Sequence, residues 1–334
     1  MICRTLIRKY STGLPSHPFT GTKELESLLA AALVALVAIA CSTKSPSDGG
    51  GAISTADVHH FADAFEHWTP ADTTCAALEP YWRAATAGFE SYARKFDVSR
   101  ADLCRQVRRN PGRYGALAGK LPALDSAATR IRDLYGKFAS LHPLSNDPSV
   151  YFVVGDGIAA GTTTRGKHPI ILIGMELNNS VASLPRVVAH ELVHTQQHYP
   201  FFGSMTGGPS FLRGTLLRQS IMEGSANFIA SLLIVHADTN AWAESHEAEL
   251  WAEFRLDAHS HDYGRWLYNG WNRKALGDRP PDVGYWMGYR IAQSYFAHAA
   301  DKQKAVDDIL SIRDFDRFLE DSRYGLGLTA PLVP

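Results

Sequence analysis

The chain of 334 residues has almost no net charge and no apolar run as long as a membrane-spanning helix. Its 33 basic and 34 acidic residues leave a formal charge of −1, and no five like charges follow one another, so nothing in the charge pattern favours binding of nucleic acid. No internal repeat is visible. The 45% of hydrophobic residues is typical of a globular protein with a sizeable core.

The N-terminal part has the features of an export signal. Leu28–Ala40 is an uninterrupted apolar run that follows a net positive stretch, as in a signal peptide. Val37–Cys41 resembles the bacterial lipobox, in which the cysteine is lipidated. We therefore predict a signal peptide with lipobox over residues 1–41, lipidation of Cys41 and a flexible tether over residues 42–54. A plain cleaved signal peptide or a core helix is the alternative.

This N-terminus predicts a lipoprotein of the bacterial cell envelope, held on a membrane by its lipid anchor. Ser42, directly after the lipidated cysteine, favours the outer membrane, with the protein facing the periplasm. Export also permits disulfides. Cys75 and Cys104 are the cysteines of the folded part, and a disulfide between them and two buried free thiols are both open at this stage.

In most of the folded part the apolar residues recur at helical spacing. Residues 55–147 predict a helical N-terminal subdomain. Two short apolar, β-branched runs follow at Val150–Val154 and Pro169–Ile173, joined by a Gly/Thr-rich connection, and they predict a pair of strands. Helical spacing then returns, so we predict a mostly helical α+β fold whose second domain covers residues 148–330.

One motif in this second domain indicates a metal-binding site. Residues 190–194 spell HExxH, and on a helix two histidines four positions apart can bind one metal ion from the same face. Glu191 can then act on a water molecule beside the metal. Helical apolar spacing around the motif, with Ser183 as N-cap and Pro185 in the first turn, predicts that it lies within one helix. Two surface histidines with a solvated glutamate are the alternative.

A second predicted helix carries Glu223 among apolar neighbours, where a carboxylate needs a partner or a metal. His190, His194 and Glu223 would bind Zn²⁺ and leave a fourth position open, as in catalytic zinc sites. Asn227 lies one turn after Glu223 and can accept a hydrogen bond from a ligand imidazole. An ion pair with Arg218 or a solvated face is the alternative for Glu223.

A strand pair that leads into an HExxH helix is the element order of a zincin catalytic core, which we predict for the second domain. The strand at 169–175 is expected to offer its edge to an extended peptide. Tyr285 and Tyr289 share a helix face, and either can donate a hydrogen bond to the oxyanion formed at a scissile carbonyl. An aromatic stripe in the core is the alternative for these tyrosines.

The HExxH motif at 190–194, the Glu223–Asn227 run and the Gly-Tyr-x-x-Gly-Tyr segment at 284–289, in that order, resemble a family of bacterial proteins predicted to be zinc-dependent proteases. That family includes lipoproteins related to the gliding-motility type and is similar to the gluzincins. The resemblance covers roughly residues 150–324. It implies a gluzincin-like zincin fold with a small sheet packed on the HExxH helix, and Glu191 as general base.

The resemblance also implies roles for five other side chains. His190, His194 and Glu223 would be the zinc ligands, and Tyr285 or Tyr289 the oxyanion donor. We therefore predict a zinc-dependent metallopeptidase that hydrolyses a peptide or protein substrate in the cell envelope. Two alternatives remain open: a non-catalytic envelope lipoprotein that uses a zincin scaffold to bind a partner, and a helical structural lipoprotein with an accidental motif.

Overall fold

The computed structural model describes residues 51–164, 168–200, 214–234, 240–270 and 273–328. The predicted signal peptide, the lipidation site Cys41 and most of the predicted tether lie outside the described residues. No helix within the described ranges is both long and apolar enough to cross a membrane.

Four strands form one small sheet in the order β1-β2-β4-β3. They are β1 (Ile53–Ser54), β2 (Ser149–Val153), β3 (Gly161–Thr163) and β4 (Ile170–Gly174). The inner strand β2 pairs in parallel with β1 and with β4, whereas β3 pairs antiparallel with β4 and forms the edge of the sheet. Most residues of β2 and β4 are buried and apolar, as expected for strands that are covered on both faces.

Helices make up most of the described chain. In chain order the α-helices are α1 (Ala56–Glu66), α2 (Glu79–Arg83), α3 (Ala87–Phe96), α4 (Arg100–Arg109), α5 (Pro111–Gly115), α6 (Leu121–Leu141), α7 (Leu184–Gln196), α8 (Leu216–Leu233), α9 (Ala241–Ser245), α10 (Glu247–Asp257), α11 (Arg273–Leu276), α12 (Val283–His298), α13 (Lys302–Leu310) and α14 (Phe315–Ser322). The prediction of a mostly helical α+β protein with a small sheet is confirmed.

The helices before residue 147 pack on the sheet through aromatic residues. The hydroxyl of Tyr81 donates a hydrogen bond to Val154 O at 2.8 Å, and that of Tyr114 donates to Gly155 O at 2.9 Å. Both carbonyls lie just after β2, so α2 and α5 are tied to that end of the strand. A disulfide joins Cys75, just before α2, to Cys104 in α4.

Helices α8 and α12 touch through their backbones. A Cβ on Gly224 would lie 2.1 Å from Tyr289 N, and a Cβ on Gly288 would lie 1.7 Å from Ser220 O. Only glycine permits so close an approach, because any side chain at either position would overlap the main chain of the other helix. This contact fixes α8, which carries Glu223, against α12, which carries Tyr285.

Two local predictions are wrong and one is right only in part, each for a tertiary or capping reason. The edge expected at 169–175 is not free, because β4 is flanked on both sides and β3, read from sequence as a connection, is the edge strand. Ser183 occupies the N-cap position of α7 but makes no capping hydrogen bond, since it has helical dihedral angles at the end of a 3₁₀ turn and its hydroxyl donates to Ser180 O. The apolar spacing over residues 76–96 predicts one helix, but the structure has two, α2 and α3, because Thr86 caps the start of α3.

Candidate metal centre

Helix α7 presents the two motif histidines to α8. It packs against β3, β4 and α8, with Val188 and Leu192 fully buried. Pro185 occupies its first turn, where the missing N–H has no helical partner to lose. His190 and His194 are one turn apart, and their side chains are 15% and 14% exposed.

Helix α8 brings the acidic residue to the same place. It is buried on nearly every side, and its first turn is capped by Thr215, whose hydroxyl accepts a hydrogen bond from Arg218 N. Glu223 lies in its middle and is 5% exposed. The guanidinium of Arg218 donates to Pro200 O and lies over the ring of Phe315, while Glu223 turns to the histidines.

Three side-chain atoms converge at this point. His190 Nε2 lies 2.9 Å from His194 Nε2, and Glu223 Oε2 lies 3.3 Å from the first nitrogen and 3.1 Å from the second. These are the three residues that the sequence marks as metal ligands, and within the described ranges they form the one group of this kind. His198, in contrast, is exposed, and its backbone N–H donates to Leu310 O.

The other nitrogen of each imidazole faces an amide oxygen. His190 Nδ1 donates to Asn227 Oδ1 and His194 Nδ1 donates to Gln197 Oε1, both at 2.8 Å. The orientation of Gln197 is determined by its own amide, which donates to Met222 O at 2.8 Å. In a neutral imidazole with the proton on Nδ1, Nε2 carries a lone pair. Both Nε2 lone pairs therefore point into the cluster.

When His194 is protonated, its Nε2 donates a hydrogen bond to Glu223 Oε2 at 3.1 Å. With both imidazoles neutral, two Nε2 lone pairs and a carboxylate oxygen meet at this point. A cation satisfies this arrangement, and two imidazole nitrogens with one carboxylate oxygen form the ligand set of catalytic zinc sites. The amide oxygens on the Nδ1 atoms supply the outer contacts that orient zinc-binding histidines. The residues present therefore fit a zinc ion.

The pKa shifts of Glu223 and His194 also favour a bound cation. Burial alone would raise the pKa of Glu223, but the imidazoles of His194 and His190 outweigh it and hold that pKa well below the usual range. Burial alone would lower the pKa of His194, but the carboxylates of Glu223 and Glu191 raise it to about 9. The carboxylates of Glu223 and Glu191 therefore favour a positive charge within the cluster.

Glu191 lies beside the cluster but is directed to the edge strand. It is 7% exposed, and a Cβ on Gly161 would lie 2.7 Å from its Oε1. Burial raises the pKa of this carboxyl, against the opposing effect of the neighbouring histidines. The residue is therefore near the three converging atoms without contributing one of them, and it lies against the edge strand β3.

The two tyrosines of α12 are in different surroundings. The ring of Tyr285 lies 6.3 Å from that of His190, between centroids, so this side chain belongs to the cluster. Tyr289 is 7% exposed, and its ring packs edge-on against Phe228 at 5.7 Å. Of the two tyrosines, Tyr285 is thus the one that lies next to a predicted metal ligand.

Two residues of the site carry no signal in the sequence. Gln197 follows the last residue of α7, and its side chain turns back to His194. Tyr268 lies in an irregular segment, and its hydroxyl donates to Glu223 Oε1 at 2.7 Å. Neither belongs to a motif or to a helix face, so only the three-dimensional structure brings them to the cluster.

Another buried acid, Glu176, supports the loop that leads to β3. It is 1% exposed, and its two oxygens accept hydrogen bonds from Gly155 N and Gly157 N, each at 3.1 Å. Burial outweighs these hydrogen bonds and raises its pKa from 4.5 to about 7. This loop runs directly into Gly161, which touches Glu191.

The raised pKa of Glu176 predicts a stability that falls as pH rises. The folded protein holds this proton more tightly than the unfolded chain, so the contribution is complete below about pH 4.5 and is lost towards pH 7. Between pH 5 and pH 8 we expect the free energy of unfolding to fall by about 2–3 kcal/mol more in the wild type than in Glu176→Gln. Urea denaturation at both pH values measures this, and equal losses in the two proteins would contradict the assignment.

The comparisons with known proteins agree with this geometry. A family model described as "Predicted Zn-dependent protease (DUF2268)" matches residues 140–312, more than half of the chain. The match includes α7, α8 and Tyr285. No curated protein and no solved structure matches the chain. The chain belongs to the DUF2268 family of predicted Zn-dependent proteases.

Proposed function

We propose that the protein is a zinc-dependent metallopeptidase with a zincin-like core, acting on a peptide or protein substrate in the bacterial cell envelope. The observation that carries the proposal is the convergence of His190 Nε2, His194 Nε2 and Glu223 Oε2 within 3.3 Å of one another. The envelope location is supported by the lipobox-like sequence before Cys41 and by the Cys75–Cys104 disulfide, which is typical of oxidising compartments.

Different side chains of the site would bind the metal, transfer the proton and stabilise the oxyanion in peptide hydrolysis. His190, His194 and Glu223 would hold zinc, which would supply Lewis acidity for the reaction. Glu191 accepts a proton from the attacking water and passes it to the leaving amine, because its buried carboxylate has a raised pKa. Tyr285 is the candidate hydrogen-bond donor to the oxyanion.

Among the described residues no strand pairs with the outer edge of β3, and this edge supports peptide binding beside these groups. Ala160 O and Thr164 N bond to β4, so by the alternation of an antiparallel ladder Gly161 and Thr163 direct their backbone groups to the open side. Lys95 Nζ donates to Thr163 O at 2.6 Å and occupies one of these acceptors. An extended substrate added along this edge would use Gly161 and pass next to Glu191.

Zinc content tests the site directly. We expect the wild-type protein to contain about one zinc per chain by elemental analysis. The sample is extracted with detergent from the membrane fraction, and recovery of the protein without detergent would contradict the lipid anchor. Glu223→Ala removes a ligand, so we expect zinc affinity to fall by more than about 100-fold. Glu247→Ala is the control, since Glu247 is also largely buried but pairs with Arg290 elsewhere. A wild type that takes up no zinc would overturn the proposed function.

A further inference from the structure

The two oxygens of Glu223 have different partners. Oε2 faces the histidines, whereas Oε1 accepts the hydrogen bond from Tyr268 at 2.7 Å. Gln219 Nε2 lies 3.4 Å from the same Oε1 and 2.6 Å from the hydroxyl oxygen of Tyr268. Oε2 therefore faces the cluster, whereas hydrogen bonds hold Oε1 away from it.

The direction of these hydrogen bonds is determined by their chemistry. The Gln219 amide nitrogen can only donate, so the hydroxyl oxygen of Tyr268 accepts from it. A phenol has a single proton, and this proton is then directed to Glu223 Oε1. The result is a one-way chain from Gln219 through Tyr268 to the carboxylate.

The backbone of Tyr268 is held in an unfavourable conformation. Its φ is +57°, in the left-handed region that bulky residues rarely adopt. Such strain persists only where the surrounding structure enforces it, and it is concentrated at functional sites. The residue is 45% exposed, and the centroid of its ring lies 6.0 Å from that of Tyr285, so burial of the residue does not explain its placement.

Paired hydrogen bonds fasten this segment to the start of α12. Asn269 N donates to Asp282 Oδ1 at 3.0 Å, and Asp282 N donates to Asn269 Oδ1 at 2.8 Å. Gly284 N donates to Trp266 O at 2.8 Å. These bonds lie on either side of Tyr268 in sequence, and they hold its hydroxyl over α8.

We propose that Tyr268 is a positioning residue that keeps Oε2 alone, and not both carboxylate oxygens, turned towards His190 and His194. A carboxylate whose second oxygen is unbound is free to rotate and to offer both oxygens to a metal. By holding Oε1 away, Tyr268 preserves room beside the ligands for water and substrate. This inference rests on the proposed function, because it assumes that the cluster binds a metal.

The test uses Tyr268→Phe in the full-length chain, with Tyr263→Phe as the matched control. Both variants lose one hydroxyl from the same segment, but that of Tyr263 donates to Gly214 O and not to Glu223. With cobalt(II) in place of zinc, we expect the visible absorption of Tyr268→Phe to weaken and shift, since a second carboxylate oxygen raises the coordination number. Zinc affinity, measured by chelator competition, is expected to fall by about 10–100-fold. The control should match the wild type in both measurements.

Three outcomes decide the question. An unchanged cobalt spectrum together with unchanged zinc affinity in Tyr268→Phe overturns the proposal. If Tyr268→Phe does not fold, Gln219→Leu carries the test, because it breaks the chain while leaving the strained segment intact, and the same spectral shift is expected. A wild type that binds neither zinc nor cobalt contradicts the proposed function itself. Metal binding that is the same in the wild type and in Tyr268→Phe contradicts only the role of Tyr268.

Discussion

Replacement of Glu191 by glutamine is expected to lower peptide hydrolysis by about 10³-fold while the protein retains one zinc per chain. The amide has the same shape as the carboxylate but cannot accept a proton from water. Zinc should remain, because Glu191 is directed to Gly161 on the edge strand and is not one of the three atoms that converge between α7 and α8.

A mixed-sequence peptide library gives the activity measurement, and elemental analysis gives the zinc content of the same sample. Glu247→Gln is the control, an identical change at a largely buried carboxylate that pairs with Arg290. Full activity in Glu191→Gln would show that another group removes the proton. A loss of zinc in that variant would instead make Glu191 a ligand.

Alanine at Gly288 is expected to lower the free energy of unfolding by about 3 kcal/mol or more, or to prevent folding. The new Cβ would lie 1.7 Å from Ser220 O, and neither atom can move without shifting a whole helix. Separation of α12 from α8 would also displace Glu223, one turn after Ser220 on α8. We therefore expect weaker zinc binding in whatever fraction folds.

Gly136→Ala provides the comparison for this experiment. Gly136 also lies in a helix, but a Cβ there would meet nothing within 4 Å. Alanine is the better helix former by about 1 kcal/mol, so the control should be slightly more stable than the wild type. Urea denaturation followed by circular dichroism compares the two. A Gly288→Ala protein as stable as the wild type would show that the helices do not touch at this point.

The elements that carry the candidate site follow from local sequence. Helix α7 is predictable because HExxH lies in a run of helically spaced apolar residues, with Pro185 early in the first turn. Helix α8 is predictable from its apolar length, and the burial of Glu223 from its neighbours. Strands β2 and β4 stand out as short β-branched runs.

The remaining parts depend on contacts between distant residues. Strands β1 and β3 contain two and three residues, too few for an alternating pattern, and they exist because β2 and β4 provide partners. Tyr268 reaches Glu223 across 45 positions of sequence and from a left-handed backbone conformation. Gln197 reaches His194 only because α7 ends at Gln196. No local preference encodes these placements.

The strand order also has a mechanical consequence. The described chain enters the sheet at β1, and Glu191 of the candidate site lies against β3, at the opposite edge. Three strand spacings of roughly 4.8 Å, about 14 Å in all, separate the two edges. Tension applied to the polypeptide before residue 51 would therefore load the two-residue ladder between β1 and β2 first. Detachment of β1 would leave β4, β3 and α7 in place, so a pull at that end of the chain would not disturb the candidate metal centre directly.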